Sequence, residues 1–333
     1  MSYYDDASLV LIPSGIKTAK VYSQKPTNGT GDFTLARAST ATRTNASGAI
    51  ASVASNVPRL DYMTASGTLG TCPMLEVEGQ RTNLVFPSAT AATQTRTVTA
   101  TAHTLTIYGT GSVTLSGVAT GTLTGTGANN RVALTFTPTA GSLVLTVSGT
   151  VTNWQLEAGA FSSTLIETTT ASVTRIADSV SISGASALIG QTEGTIFLDV
   201  DFRSVSTGGI RQFFALEGSV VNQFSGFGVS TSNNGNDVTL AGAGYTLTQG
   251  RHKIVCTYNS TTNQRKLFVD GAQRGATQTS AAFLATIDRI SVLGRINSFS
   301  AFAVDRQQFG GCNQFAIWKT ALSDAQCIQL TTL

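Results

Sequence analysis

Charge is scarce in this sequence: Asp, Glu, Lys and Arg together make up 12% of its 333 residues, about half the share an ordinary soluble domain carries. A surface so poor in ions has to be covered by uncharged polar groups, and Thr, Ser, Gly and Asn supply them. The 21 basic and 18 acidic residues leave a net charge of +3 with no run of Lys or Arg, which argues against a nucleic-acid partner. Histidine is nearly missing. His103 and His252 lie far apart, and Cys72, Cys256, Cys312 and Cys327 form no C-x-x-C pair, so a zinc site is not expected. No apolar stretch approaches the roughly 20 residues of a membrane span. The opening MSYYDDASLVLIPSG also lacks the basic and apolar regions of a signal peptide, and the expectation is a soluble protein made in the cytosol. There is no G-x-S-x-G elbow to support a nucleophilic triad.

What is present is β-forming sequence. Hydrophobic residues reach 41%, enough for packed cores, and 333 residues exceed what one core organises, so two or three domains are expected. Residues 1–85 are irregular and punctuated by Arg, with turn signals at Asn45 to Gly48 and at Ser66-Gly67; they read as extended arms and short hairpins. Residues 86–176 alternate strictly, as in SVTLSGV (112–118), then Val132, Leu134 and Phe136, then Leu143, Leu145 and Val147, with turns at the spacing of a sandwich. The T-G-T-G repeats in this zone are followed by no helical pattern, so they do not read as phosphate loops.

Residues 177–333 carry the clearest pattern and are expected to form one complete core. Ile196, Leu198, Val200 and Phe202 share a strand face. The stretch 251–277 reads as strand, turn, strand, a tight Asp270-Gly271 turn and a further strand, and 321–330 as a short helix with Ser323 as N-cap. Alternation in HKIVCTY (252–258) places Ile254, Cys256 and Tyr258 together, making Cys256 a buried thiol. Trp154 and Trp318 also read as core. A disulfide between Cys312 and Cys327 cannot be fixed by spacing.

Candidate chemistry is sparse. Asp199 and Asp201 share the polar face of their strand, but no glutamate accompanies them as the acid pair of a glycosidase would need, and they read as solvated carboxylates. The loop Asn233, Asn234, Gly235, Asn236, Asp237 offers hard oxygen ligands; Asn233 and Asp237 are the calcium candidates, and the same loop is equally a plain turn. Tyr245 with Asn234, Asn236 and Asp237 is the candidate ligand-binding set, and Phe224, Phe299 and Phe302 are further aromatic candidates for sugar contact. No other cofactor is expected.

Three sets of segments carry a resemblance. The C-terminal set is GTIFLDVDF, HKIVCTY leading to KLFVDG, RISVLGR, and FGGCNQFAIWKTALSDAQ, and it is similar to concanavalin A-like and laminin-G-like jelly rolls. The zone closing on WQLEAGAFSSTLIETTTASVTRIAD looks like carbohydrate-binding-module-like jelly rolls. The N-terminal order R-x-S-x-A-T-R (Arg37 to Arg43), PRLDY (58–62), Glu76 and Glu78, and QRTNL (80–84) resembles a bacteriophage virion segment.

The resemblance implies an all-β protein with an N-terminal extended anchoring segment (1–85), two antiparallel β-sandwich domains (86–176 and 177–333) and a short C-terminal helix. It implies a non-enzymatic structural component of a phage virion, a tail or head fibre or a capsid decoration. Such a component would display sandwiches toward glycans or a host surface and reside in the virion after synthesis in the host cytoplasm. Its partners would be other virion proteins, itself as a homotrimer, and host-surface glycans. Arg37, Arg43, Arg59 and Arg81 would serve assembly, and Glu76 and Glu78 would pair with Arg59 or Arg81. The alternatives are a polysaccharide-degrading tail enzyme and a capsid cement that binds no glycan.

Overall fold

In the strand Glu193–Ser204, Ile196, Leu198, Val200 and Phe202 point to one side and are fully buried, as the two-residue period requires. This strand is central to the larger of the two units into which the chain divides. The computed structural model describes residues 3–204, 211–218, 224–229, 238–239, 245–279, 286–294, 296–297, 301–302 and 309–333. Among these, regular structure is almost all strand, with one α-helix, Asp324–Thr331, and a short 3-10 turn, Tyr3–Asp5. The protein is all-β, built of sheets of the sandwich, jelly-roll type that are antiparallel apart from the parallel pair Phe224–Val229 and Val238–Thr239.

The first unit comprises Met1–Arg37, Asn56–Gly79 and Ala177–Leu333. One eight-stranded sheet runs Ala272–Gln273, Gln264–Val269, Gly250–Asn259, Glu193–Ser204, Phe309–Trp318, Leu69–Val77, Arg59–Met63, with Leu9–Leu11 also paired to Phe309–Trp318. The second runs Ile16–Lys17, Lys20–Val21, Phe33–Ala36, Ser179–Ser183, Ile287–Val292, Arg211–Gly218, Phe224–Val229, Val238–Thr239. Their inner faces share one core, in which Phe315 of the first sheet meets Phe33 of the second edge-on at 5.5 Å between ring centroids.

The outer face of the first sheet is divided. Phe197, Val255, Phe268, Ala316 and Trp318 form a second apolar layer, which Cys327 and Leu330 of the helix cover. The helix starts where a capping box allows it: Ser323 Oγ accepts from Gln326 N, and the Gln326 side chain accepts from Ser323 N. The expected turn is present as well. Asp270 and Gly271 have φ of 50° and 77° and join Gln264–Val269 to Ala272–Gln273, as a two-residue primed hairpin turn demands. Two residues further along the outer face of the central strand, apolar character gives way to Asp199 and Asp201.

The second unit comprises Ala38–Ser55 and Gln80–Ile176. Its sheets are Gln94–Val98, Gly141–Ser148, Ser112–Gly117, Gly121–Thr124 and Gly127–Phe136, His103–Gly109, Val151–Ala158. Val113, Leu115, Leu143, Leu145, Leu105, Ile107 and Trp154 fill the core between them. The Asn45 turn joins the hairpin Ala41–Thr44 and Ile50–Val53, with Asn45 Oδ1 accepting from Ser47 N and Ala49 N.

One expectation is corrected, and the open question of Cys312 and Cys327 is answered. Residues 1–85 are not a separate anchoring segment: Leu9–Leu11, Phe33–Ala36 and Leu69–Val77 are strands of the first sandwich, while 38–55 and 80–85 belong to the second unit. Short runs such as LVL and FTLA hide this, because each completes a sheet whose other strands lie far along the chain. Cys312 and Cys327 are both free thiols. Burial raises the pKa of each, that of Cys327 to about 12.

A fragment of residues 177–333 would lack Leu9, Leu11, Phe33, Leu35, Leu75 and Val77, all fully or almost fully buried in the first core. It should give no cooperative thermal transition by circular dichroism, whereas the full chain should. A sharp melt for the fragment would show that those strands are accessory.

Candidate functional site

Of the Arg and Glu residues that punctuate the N-terminal zone, Arg37, Arg59, Glu76 and Glu78 are buried. Arg37 Nη1 lies 2.8 Å from Asp178 Oδ1, Arg59 Nη1 lies 2.8 Å from Glu78 Oε2, and Arg59 Nη2 bonds Asp178 Oδ2, with every one of these side chains fully buried. Glu78 N also donates to Asp178 Oδ2. Two residues before Glu78, on the strand Leu69–Val77, Glu76 is bidentate to Arg203 at 2.7 and 3.0 Å, and Asp61 stands 3.7 Å from the same guanidinium. Burial would lower the pKa of Arg59, but Asp178, Glu78 and Glu76 more than reverse this and leave it raised.

Glu78 is therefore the Arg59 partner that its sequence context suggests, and Arg203 is the partner of Glu76 that no local spacing signals. Arg37 and Arg59, expected to serve assembly, instead hold the first unit together. Arg81 and Arg43 fall in the second unit. Arg81 approaches Glu157 at 3.5 Å and lies over the Phe161 ring, and Arg43 is half-buried in its hairpin. Glu157 is fully buried and also accepts from Ser163 N and Oγ and from Gln155 Nε2. Asn83 makes four bonds, donating to the Trp154 and Ile166 carbonyls and accepting from Val85 N and Leu156 N. Glu78, Asp178, Glu157 and Asn83 are thus internal clamps, each buried and bonded within its own unit.

Functional geometry appears instead on the uncovered part of the first sheet's outer face. Asp199 and Asp201 are buried, 3% and 6% exposed, which corrects the expectation of solvated carboxylates. Asp199 is held by Arg251, Nε at 2.9 Å and Nη2 at 2.6 Å, and by Asn313 Nδ2 at 3.2 Å. Asp201 Oδ2 accepts from Ala65 N at 2.8 Å, so it latches the tip of the hairpin between Arg59–Met63 and Leu69–Val77 onto the sheet, and Gln249 Nε2 donates to Ala65 O from the other side. Asp201 Oδ1 has no hydrogen-bond partner among the described residues.

The hairpin tip and the sheet enclose a cleft of about 360 Å³ whose polar lining includes Thr64, Ser66, Cys72, Asp201, Arg251 and Asn313, with Met74 as an apolar patch. That volume is within the range of about 300–1,000 Å³ for small-molecule pockets. Gly311, opposite Asp201 in the ladder, is required here: a Cβ would come within 2.7 Å of Met74. Arg251 is open to solvent, with its side chain 59% exposed, and Cys72 is the exposed cysteine of the four. The cleft presents carboxylate, amide, guanidinium and hydroxyl groups side by side, a set that can hydrogen-bond a polyhydroxylated ligand.

The earlier candidates fall elsewhere. Tyr245 packs against the first core, donates to Asp270 Oδ2 at 3.2 Å and is covered by the Arg274 guanidinium 4.2 Å from its ring centroid, so it offers no open platform. Asn233, Asn234, Asn236, Asp237 and Phe299, and the side chains of Phe224 and Phe302, lie outside the described residues. Among the described residues no cluster of three or more His, Cys, Asp or Glu could hold a metal ion. The cleft escaped sequence reading because its residues come from four separate stretches. Only the polar pair Asp199 and Asp201 on an otherwise apolar strand pointed to it.

No protein-family model matches the chain, and no curated protein matches it in sequence. Among solved structures, the Ruminococcus gnavus IT-sialidase CBM40 bound to α2,3-sialyllactose is similar over 45% of this chain and 87% of its own, at 18% identity and a TM-score of 0.32. The leech intramolecular trans-sialidase matches over 45% of this chain but 24% of its own, at 19% identity and a TM-score of 0.32. The Streptococcus pneumoniae NanB sialidase, as a K499G mutant, matches over 46% and 26% at 13% identity and a TM-score of 0.32. Scores this low carry no site across. The class defined by fold and site is an all-β sandwich protein with a polar cleft on one outer sheet face.

Removing one partner from the buried cluster should be severe. Arg59→Ala leaves Glu78 and Asp178 uncompensated and should lower stability by about 3–5 kcal/mol in urea unfolding of the full chain. A loss below about 1 kcal/mol would mean that water reaches the cluster.

The cluster of Arg37, Arg59 and Arg203 with Asp61, Glu76, Glu78 and Asp178 holds one more carboxylate than guanidinium. Burial pushes the Glu76 carboxyl up to about 7, against the pull of Arg203. The folded state thus holds this proton more tightly than the unfolded chain does. Its stabilising contribution is fully present below about pH 4.5 and is lost as the pH rises through about 7. Wild type should therefore lose stability relative to Glu76→Gln between pH 5 and pH 8, measured as the difference in urea midpoints. A constant difference would show that Glu76 stays ionised throughout.

Proposed function

We propose that this chain is a non-catalytic, glycan-binding β-sandwich protein that serves as a structural component of a bacteriophage virion, with the cleft beside Asp201 and Arg251 as its sugar site. The observation that carries the binding role is the cleft: Asp201, Asn313, Arg251, Thr64 and Ser66 are arranged around about 360 Å³ on a rigid sheet. Sugar recognition needs convergent acceptors and donors held in place in this way. The non-catalytic reading is supported by the engagement of the acidic pair. Both Asp199 oxygens carry Arg251, and Asp201 holds the hairpin tip, so neither is poised as a free acid and nucleophile.

The virion role is supported by the order of segments between Arg37 and Leu84, by the threonine-rich strands and by the low charge. In that role many copies of a weak glycan site act together. Few charges also mean little repulsion between copies, and a homotrimer is the assembly proposed. The burial of Arg37 and Arg59 moves any contact between copies to other surfaces. Calcium, if bound, would use the 233–237 loop.

Isothermal titration of the full chain with a panel of neutral and acidic oligosaccharides tests the binding role, with Arg251→Ala as control. Millimolar or tighter binding that falls about tenfold in the variant is expected, a loss of about 1.4 kcal/mol. Absence of binding to every sugar would leave the cement role. Light scattering should give three times the 34.5 kDa chain mass at micromolar concentration. Immunogold labelling of purified particles should place the chain on the virion; particles free of label would remove the virion role.

A further inference from the structure

We infer that the cleft selects uncharged sugars over acidic ones, an inference that rests on the glycan-binding reading of the same site. Two charged groups line it, Asp201 and Arg251. The guanidinium directs Nε and Nη2 to Asp199, so its charge is balanced from behind by a carboxylate that is itself buried. Asp201 lies opposite Arg251 in the ladder and shares that one guanidinium with Asp199, so two carboxylates set against one cation leave one negative charge over. Asp201 is 6% exposed, its Oδ2 takes a neutral backbone N–H from Ala65, and Oδ1 is left to the cleft.

Beyond Arg251, the next cations along the ladder are engaged elsewhere. Arg203, two residues further along the same face, is held by Glu76 and Asp61. Lys253, opposite Asp199 in register, donates to the Thr332 carbonyl. The lining thus carries one unbalanced negative charge in a partly desolvated position, where a like charge is repelled most strongly.

The hydrogen-bonding pattern points the same way. Asn313 gives its Nδ2 to Asp199 and leaves its carbonyl oxygen, Asp201 Oδ1 is an acceptor, and the Thr64 hydroxyl is already bonded to Ser66 and Thr68. Arg251 keeps N–H donors beyond the two it gives Asp199, so the free valences include donors as well as acceptors and are met best by groups that both give and accept hydrogen bonds. Hydroxyls do this. A sugar carboxylate brings acceptors and a charge that Asp201 opposes.

Lactose and 3′-sialyllactose test this, since they differ by the acidic residue. Cys72 gives a direct readout, being an exposed thiol in the lining while Cys256, Cys312 and Cys327 are buried. Maleimide should modify one thiol per native chain, and lactose should slow that reaction with a midpoint at least tenfold lower than that of sialyllactose. Asp201→Asn should narrow the preference to less than threefold by weakening lactose and relieving the repulsion. Folding of the variant is checked by its melt, and Cys72→Ser confirms that the labelled thiol is Cys72.

Protection by sialyllactose at least as good as by lactose would overturn the inference while leaving a glycan site in place. A preference for lactose that survives Asp201→Asn would overturn the assignment to Asp201. Protection by neither sugar, together with no heat of binding, would overturn the glycan-binding reading and the inference with it.

Discussion

The first sandwich depends on a buried ionic joint. Its strands come from three stretches of chain, Met1–Arg37, Asn56–Gly79 and Ala177–Leu333, and the joint takes residues from all three: Arg37, then Arg59 and Glu78, then Asp178. Each lies within a few residues of a point where the chain leaves the unit or returns to it. A core of Leu, Val and Phe rewards burial without specifying which ends meet. Fully buried charges are different, because each tolerates little but its own partner. A misplaced return of the chain would strand Arg59 or Asp178 in the interior, and this gives the three-part assembly a register that hydrophobic contact alone lacks. That specificity is the best-attested use of buried polar networks.

The same joint explains which parts of the architecture were legible in the sequence. Alternation revealed the strands at 112–117, 141–148 and 193–204, the Asp270-Gly271 turn, and the helix capped by Ser323, since period and turn chemistry are local. The all-β class followed. Unit membership did not, because Leu9–Leu11 pairs with residues about 300 positions later and three residues of alternation carry little signal. The Arg-punctuated zone looked like an arm because its guanidinium groups seemed destined for solvent. Their carboxylate partners are Glu78, just past the strand Leu69–Val77, and Asp178, which lies 141 positions from Arg37 and 119 from Arg59.

The cleft was half legible for a related reason. Asp199 and Asp201 interrupt the outer face of a strand whose preceding outer residue, Phe197, is covered by the helix layer. Sequence shows the interruption but not the burial, since the covering hairpin tip at Ala65 and the partners Arg251 and Asn313 come from other strands. Tyr245 illustrates the opposite error. An aromatic residue in loop-like sequence suggests a platform, yet Asp270 and Arg274 close over it.

These two features bear on each other. Glu76, Asp61 and Arg203 of the cluster share the outer sheet face with Asp201, and Arg203 Nη2 donates to Met63 O at the base of the hairpin whose tip Asp201 holds. The cleft wall is therefore pinned at both ends by charged groups that need one another for stability, and its geometry is fixed before any ligand arrives. A preformed wall loses little entropy on binding, which suits a weak site used in many copies better than a loop that must order each time. It also keeps Arg203 away from the cleft. Arg251 alone is left to face both Asp199 and Asp201, and the second cation that could have balanced them is the one the cluster requires.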